Sequence, residues 1–362
     1  MSKSFAILGN LLIATISIAF ALTAVEIGLR IANRFGPVAD GASQDAQLFA
    51  LSDNEEIIFE HVPNVRVEFP DGRGNPGWQI STDENALRRN GKARDSEAEI
   101  RGICIGDSIV FGAGLSDHET IPARLSVIVS NEIGRSFECL NFGVSNYTTA
   151  QEAAYFRHKQ ALRYEPKIVV MGLYTNDFRV GLGSINLSEG RAELLSPDAP
   201  TGAIVALSRF RVAAMLASAA GMVTNQLREW GLRPRANEKP LKPEQIASVE
   251  RGLDQIRADL EADGIPLLIV LFPRDWQLGE PDQVAASPRQ QWAKGYCERN
   301  QITCIDILNH YFGKPVESYF RSGDDSHPHA KAANEIAELV AAEVVRILGS
   351  ETPPPDDGGN VR

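Results

Sequence analysis

From Ile100 onward the sequence alternates short apolar strands with amphipathic helices, a pattern that commits the chain to a parallel sheet with helices on its faces. The most constraining stretch is residues 167–174, Lys-Ile-Val-Val-Met-Gly-Leu-Tyr. It is a continuous apolar run, as a strand buried on both faces in the middle of such a sheet requires. Further strands are expected at residues 103–105, 137–140, 266–272 and 303–307, and helices at 121–133, 151–162, 243–262 and 330–348. The helix at 243–262 is the clearest. Its apolar positions Ile246, Val249, Leu253, Ile256 and Leu260 step by three and four, with Pro243 near the start and Gly264 after the end. No internal repeat is visible.

The flanks divide the rest of the chain. Residues 5–25 carry no charged side chain and match the roughly 20 apolar residues needed to cross a hydrocarbon core. Residues 1–34 are therefore expected to be a transmembrane anchor. A cleaved signal peptide is the competing reading, since Ala19-Phe20-Ala21 and Leu22-Thr23-Ala24 offer small residues at the right spacing. Lys3 precedes the run while Arg30 and Arg34 follow it, a charge count that on its own weakly favours a cytoplasmic C-terminal side. Residues 35–97, rich in turns such as Pro70-Asp71-Gly72 and Asn75-Pro76-Gly77, are expected to form a stalk and a β-rich lead-in. The alternating domain then runs over residues 98–349. Residues 180–240 interrupt it as a helical insertion, in which the apolar run 212–223 is a lid or a helix packed on the core. Residues 350–362, with three consecutive prolines followed by acids and glycines, are expected to be a disordered tail.

Composition excludes one class of partner. With 36 basic and 47 acidic residues the net charge is -11, and no run of Lys and Arg offers phosphate a concentrated basic surface. Nucleic acid is not an expected partner. Cys104 and Cys139 fall inside apolar strands and are expected to be buried thiols. Cys297 and Cys304 could pair in an oxidising compartment, a matter that spacing does not decide.

The chemistry lies at strand ends. The first strand runs into Gly106-Asp107-Ser108, which sets a hydroxyl on the turn between strand and helix, where open α/β sheets meet their ligands. Directly before the closing helix stands Asp324-Asp325-Ser326-His327-Pro328. An acid three residues ahead of a histidine on one loop can bond imidazole Nδ1 and leave Nε2 for the serine. Serine hydrolysis needs this set: a hydroxyl, a base, an acid holding the base's tautomer, and donors for the developing oxyanion. Metal ligation by His327 and His329 is the weaker alternative, because Pro328 separates them and no third histidine clusters nearby. His61, His118, His158 and His310 lack such company and are expected at the surface.

Four ordered blocks carry a family resemblance: Gly106-Asp107-Ser108, then Asn141-Phe142-Gly143-Val144-Ser145-Asn146, then Thr175-Asn176-Asp177, then Asp324-x-x-His327-Pro328. Over roughly residues 98–348 the chain resembles the SGNH (GDSL-like) hydrolases. That resemblance implies a three-layer flavodoxin-like α/β fold with a parallel sheet, and esterase, lipase, deacetylase or acyltransferase activity without cofactor or metal. It implies Ser108 as nucleophile, His327 as base and Asp324 as its orienter. The oxyanion donors it implies are the N–H of Ser108, the side-chain amide of Asn176 and a backbone N–H in the second block. There the usual Ser-Gly is Ser145-Asn146. Asparagine is among the best non-glycine residues at positive φ, so Asn146 can keep the donor, while Gly143 is expected to serve the turn. Asp107 and Asp177 are read as loop-bracing acids.

The anchor and lead-in also resemble bacterial SGNH proteins that hold their catalytic domain outside the inner membrane. The resemblance thus implies a periplasmic domain acting on an ester or acylated carbohydrate, with removal of an acyl, in the first place acetyl, group from an envelope glycan. O-acyl transfer by the same triad and a catalytically silent binding domain are the alternatives.

Overall fold

The computed structural model describes residues 47–69, 77–91, 98–180, 185–186, 193–194, 240–274, 277–278, 287–322 and 325–350. Five strands, β1 (Ile100–Gly106), β2 (Phe137–Gly143), β3 (Ile168–Leu173), β4 (Leu267–Leu271) and β5 (Thr303–Asp306), form one sheet in the order 2-1-3-4-5. Every pairing in it is parallel. Successive side chains of a strand point to opposite faces. Ile103, Ile105, Val169, Met171, Ile269 and Leu271 enter one core, and Cys104, Ile168, Val170, Leu268 and Val270 the other. Every residue of β3 and β4 is buried, which is why this part of the sequence shows no polar alternation.

Among the described residues seven helices complete the layers: α1 (Ser108–Phe111), α2 (Ile121–Ile133), α3 (Thr149–His158), α4 (Pro243–Glu261), α5 (Pro288–Arg299), α6 (Leu308–Tyr311) and α7 (Ala330–Ser350). Leu125 and Val129 of α2 pack with Ile336, Val340 and Val344 of α7 on one face of the sheet. Val249, Leu253, Ile256 and Leu260 of α4 pack with α3 and α5 on the other. Burial of each such side chain is worth about 1.5–3 kcal/mol, so the stripe, more than intrinsic propensity, holds α4 in place. No comparable apolar stripe marks α5, which buries only Gln290, Ala293, Tyr296 and Cys297. Helix α3 stops before the expected 162, because Gln160 takes φ 49° and a 3₁₀ turn, Ala161–Tyr164, follows.

The segment ahead of the sheet is joined to the same core. Phe49–Leu51 pairs antiparallel with Phe59–His61, and Arg66–Phe69 with Trp78–Ser81. Leu48, Ile57, Phe59, Val67, Ile80 and Leu87 pack with the β1 and β3 side chains. Tyr147 Oη donates to the carbonyl of Phe59, and Gln151 Nε2 to that of Ile57 at 3.1 Å. Over its described residues the lead-in is therefore part of the domain's interior. His61, expected at the surface, is 1% exposed and stacks on Phe111 with ring centroids 4.7 Å apart. Its aromatic neighbours come from elsewhere in the chain, so local sequence could not show the burial. Desolvation, with the nearby charge of Arg88 second, lowers its pKa to about 3.

Cys104 and Cys139 are buried as expected, and Cys297 and Cys304 are free thiols hydrogen-bonded to each other between α5 and β5. Of the expected insertion, Ile185–Asn186 and Glu193–Leu194 form a short antiparallel pair rather than a helix. The apolar run 212–223, the anchor at 1–34 and the tail at 351–362 lie outside the described residues. Among the described residues no helix is long and apolar enough to cross a membrane.

Candidate active site

Ser108 sits at the carboxyl end of β1, the first residue of α1. The turn is braced from its own sequence: Asp107 Oδ1 accepts the Ile109 N–H at 2.9 Å. Space for it comes from two glycines. A Cβ on Gly106 would stand 2.5 Å from Val110 Cγ2, and one on Gly143 would stand 2.2 Å from the Phe111 nitrogen. Gly143, expected to serve a turn, lies instead within β2 and lets α1 lie directly on the strand. Burial raises the pKa of Asp107, and the Ile109 N–H, the charge of His327, the Asn176 amide and Arg179 act against the rise.

The other end of α1 is held by Asn141 of the second block and by Arg88 and Asp117, which sequence reasoning did not connect to the site. Arg88 is 2% exposed and its Nη1 donates to the carbonyls of Phe111 and Gly112, each at 2.7 Å. Its Nε lies 3.3 Å from Asp117 Oδ1, in a pair whose side chains are 0% and 4% exposed. Asn141 Nδ2 donates to the carbonyls of Val110 and Phe111 at 3.2 and 3.3 Å. Arg88 thus satisfies C-terminal carbonyls of a one-turn helix that has almost no internal bonds of its own. In the sequence it is one of two adjacent arginines of the lead-in, Arg88-Arg89, with nothing to set it apart.

His327 comes from the Asp325–Pro328 strand, which pairs antiparallel with Phe320–Ser322 immediately ahead of α7. Its Nε2 is 2.8 Å from Ser108 Oγ. The structure brings together two residues 219 positions apart in the chain. Asp324 lies outside the described residues. His329 does a different job: its Nδ1 accepts the Ala332 N–H at 2.9 Å, and its Nε2 is 3.1 Å from the carbonyl of Glu317. It caps the first turn of α7, with both ring nitrogens engaged by backbone. Among the described residues no three His, Cys, Asp or Glu side chains are gathered around a metal position.

The second and third blocks close over the serine from β2 and β3. Asn146 has φ 69°, the left-handed conformation expected of a residue standing in for glycine. Its Oδ1 accepts from Arg179 Nη1 at 2.9 Å, a contact with no forerunner in the sequence reading. Asn176 is 5% exposed, in the 3₁₀ turn Asn176–Phe178 that follows β3. Its Nδ2 donates one hydrogen to the carbonyl of Tyr147 at 2.7 Å. Asp177 braces that turn by accepting the Tyr174 N–H on Oδ2 at 2.6 Å. A serine hydroxyl in hydrogen-bond contact with an imidazole, beside an amide and a backbone N–H held at positive φ, is an arrangement suited to acyl transfer.

The GDSL-like lipase/acylhydrolase family matches residues 104–334, more than half of the chain. No curated protein matches it. Among solved structures, the psychrotrophic esterase EstA from a Pseudoalteromonas species is 14% identical, with 69% of this chain and 100% of that one covered and a TM-score of 0.39. A GDSL-like lipase from Bacteroides thetaiotaomicron is 13% identical, with 70% and 92% covered and a TM-score of 0.37. AlinE4, an esterase of the SGNH-hydrolase family, is 19% identical, with 72% and 100% covered and a TM-score of 0.36. On the match of the family to the span that contains the serine, the histidine and both loops between them, the chain belongs to the GDSL-like (SGNH) lipase/acylhydrolases and is a serine esterase/acylhydrolase of that type.

Proposed function

We propose that Ser108 is the nucleophile and His327 its general base in the hydrolysis of a carboxylic ester. The observation that carries this reading is the 2.8 Å contact between Ser108 Oγ and His327 Nε2 at the carboxyl edge of the sheet. His327 Nε2 takes the hydroxyl proton as Oγ bonds to the acyl carbon, and Asp324 orients the ring. The carbonyl oxygen becomes an oxyanion, held by the N–H groups of Ser108 and Asn146 and the second Nδ2 hydrogen of Asn176. Collapse expels the alcohol, which leaves with the proton from His327. Water then attacks the acyl-serine with His327 again as base, releasing the acid and restoring Ser108.

The acyl group is short, in the first place acetyl, and the alcohol belongs to an envelope glycan. The glycan reading follows from placement: residues 5–25 cross the inner membrane as one helix and hold the catalytic domain in the periplasm. Protease added to spheroplasts tests that placement, since a catalytic domain protected until the membrane is broken is cytoplasmic and the envelope substrate falls with it.

The test of the chemistry is covalent labelling. A fluorophosphonate incubated with the purified full-length protein is expected to modify Ser108, and Ser108→Ala to abolish both labelling and hydrolysis of short activated esters. Label on another serine, or none in a folded sample, overturns the nucleophile assignment.

A further inference from the structure

Behind the site lies a carboxyl pair for which the mechanism above has no use. Glu152, on α3, is 0% exposed, and Asp177, in the turn that carries Asn176, is 1% exposed. No N–H or O–H of the described residues reaches either oxygen of Glu152 or Oδ1 of Asp177. The two carboxyls belong to one buried cluster, where Thr149 Oγ1 in the first turn of α3 reaches the carbonyl of Asp177 at 3.4 Å and each carboxyl acts on the other's titration. Two carboxyl oxygens can meet in a dry interior only with a proton between them, because two buried like charges cannot both persist. Asp177 Oδ2 already accepts the Tyr174 N–H. Burial raises Asp177 as well, but the Tyr174 N–H favours its charged form, so of the two it is Glu152 that holds the proton.

We propose that Glu152 is a neutral carboxylic acid that donates its proton to Asp177 and thereby positions the oxyanion donor Asn176. Burial comes first among the causes holding Glu152 well above the ordinary carboxylate range, followed by the charges of Asp177 and Asp107. The turn is also tied through its backbone: Thr149 Oγ1 donates to the carbonyl of Asp177 at 3.4 Å, and Gln245 Nε2 to that of Phe178 at 3.0 Å. Helix α4 closes over α3 here, so tightly that a Cβ on Gly252 would stand 2.7 Å from the carbonyl oxygen of Thr149. Without the Glu152 proton, Asp177 Oδ1 would lose its partner, leaving the Tyr174 N–H on Oδ2 to hold the carboxylate, and the turn that places Asn176 would loosen. An ionised Glu152 would also add negative charge behind the place where the oxyanion develops, the opposite of what that transition state needs.

This inference rests on the role proposed for Asn176, and a double-mutant cycle separates the two. Glu152→Gln keeps a donor and is expected to retain kcat within about threefold. Glu152→Met keeps the length, cannot donate, and is expected to lower kcat about tenfold or more with KM little changed, the pattern of an interaction felt in the transition state. Combined with Asn176→Ala, Glu152→Met is expected to cost less than about twofold further, because its effect passes through that amide. Full multiplication of the two losses, or equal loss in the Gln and Met variants, overturns the proposal. If Asn176→Ala alone has no effect, the role of Asn176 fails first. Infrared spectroscopy reads the proton directly, even if Glu152→Met does not fold: the carbonyl band of a neutral carboxylic acid should be present in the wild-type protein and missing from Glu152→Gln. Identical spectra likewise overturn it.

Discussion

Arg179 Nη1 donates to Asn146 Oδ1 at 2.9 Å, joining the loop after β2 to the loop after β3. The side chain of Asn146 therefore has a function that the usual glycine could not perform, since its amide is the handle by which the two loops are held. The left-handed backbone at φ 69° is the other half of the same arrangement.

The first expectation concerns the two oxyanion loops. Asn146→Gly preserves the backbone N–H and tolerates the left-handed conformation, so activity should stay within about tenfold of wild type. Asn176→Ala removes a side-chain donor and should lower kcat roughly a hundredfold or more, the usual scale for one such donor. Steady-state kinetics on a short activated ester distinguish them. Equal, small effects at both positions would place the oxyanion hole elsewhere.

Arg179 should matter through the same loop. Arg179→Met removes a hydrogen bond from a charged donor, worth about 1.5 kcal/mol, and should lower kcat by about tenfold at most. In the Asn146→Gly background the same change should cost much less, because the acceptor is already gone. A loss undiminished in that background would mean that Arg179 acts on the substrate rather than on Asn146.

Arg88 is expected to be a stability residue with a local consequence. Arg88→Met leaves Asp117 buried without its counter-charge and uncaps the carbonyls after α1. Breaking one side of a buried pair costs about 3–5 kcal/mol, which urea unfolding would report as a large fall in midpoint. A midpoint unchanged from wild type would show that water replaces the guanidinium at little cost.

His61 predicts acid sensitivity. Its folded pKa is lowered to about 3 from an ordinary 6.5, chiefly by burial. The unfolded chain therefore binds this proton first. Stability is complete above the ordinary value and is lost as pH falls through the window toward 3. Between about pH 7.5 and pH 5 the loss from this group should be on the order of 2 kcal/mol. His61→Phe keeps an aromatic ring against Phe111 and should flatten that part of the stability profile, as measured by urea midpoints at the two pH values. A profile as steep as wild type would assign the acid sensitivity to other groups.

Much of this molecule could be read before any coordinates. Helix α2 was expected at 121–133 and is found at Ile121–Ile133, because Thr120 and Pro122 open it, Leu125 and Val129 face the sheet and Gly134 closes it. The same local logic located α4 and the central strands. Ser108 and His327 were singled out from short blocks at strand ends, and Asn146 and Asn176 from the resemblance of their blocks to those of the family; the structure brings Ser108 and His327 within 2.8 Å. The positive φ of Asn146 was likewise expected from the identity of one residue.

What local sequence could not carry is everything made by residues far apart in the chain. The contact of Ser108 with His327 needed the sheet to close. The burial of His61, the grip of Arg88 on α1 and the bond from Arg179 to Asn146 have no spacing that announces them, because each partner was chosen by packing. The same holds for Glu152, which reads as an ordinary first-turn acid of a helix and becomes a buried proton donor only when α4 covers it. Periodicity and turn chemistry are properties of neighbours along the chain, and they determined the elements and the strand ends where the candidate groups stand. Burial, charge pairing and the state of each proton are properties of neighbours in space, and only the tertiary structure decided them.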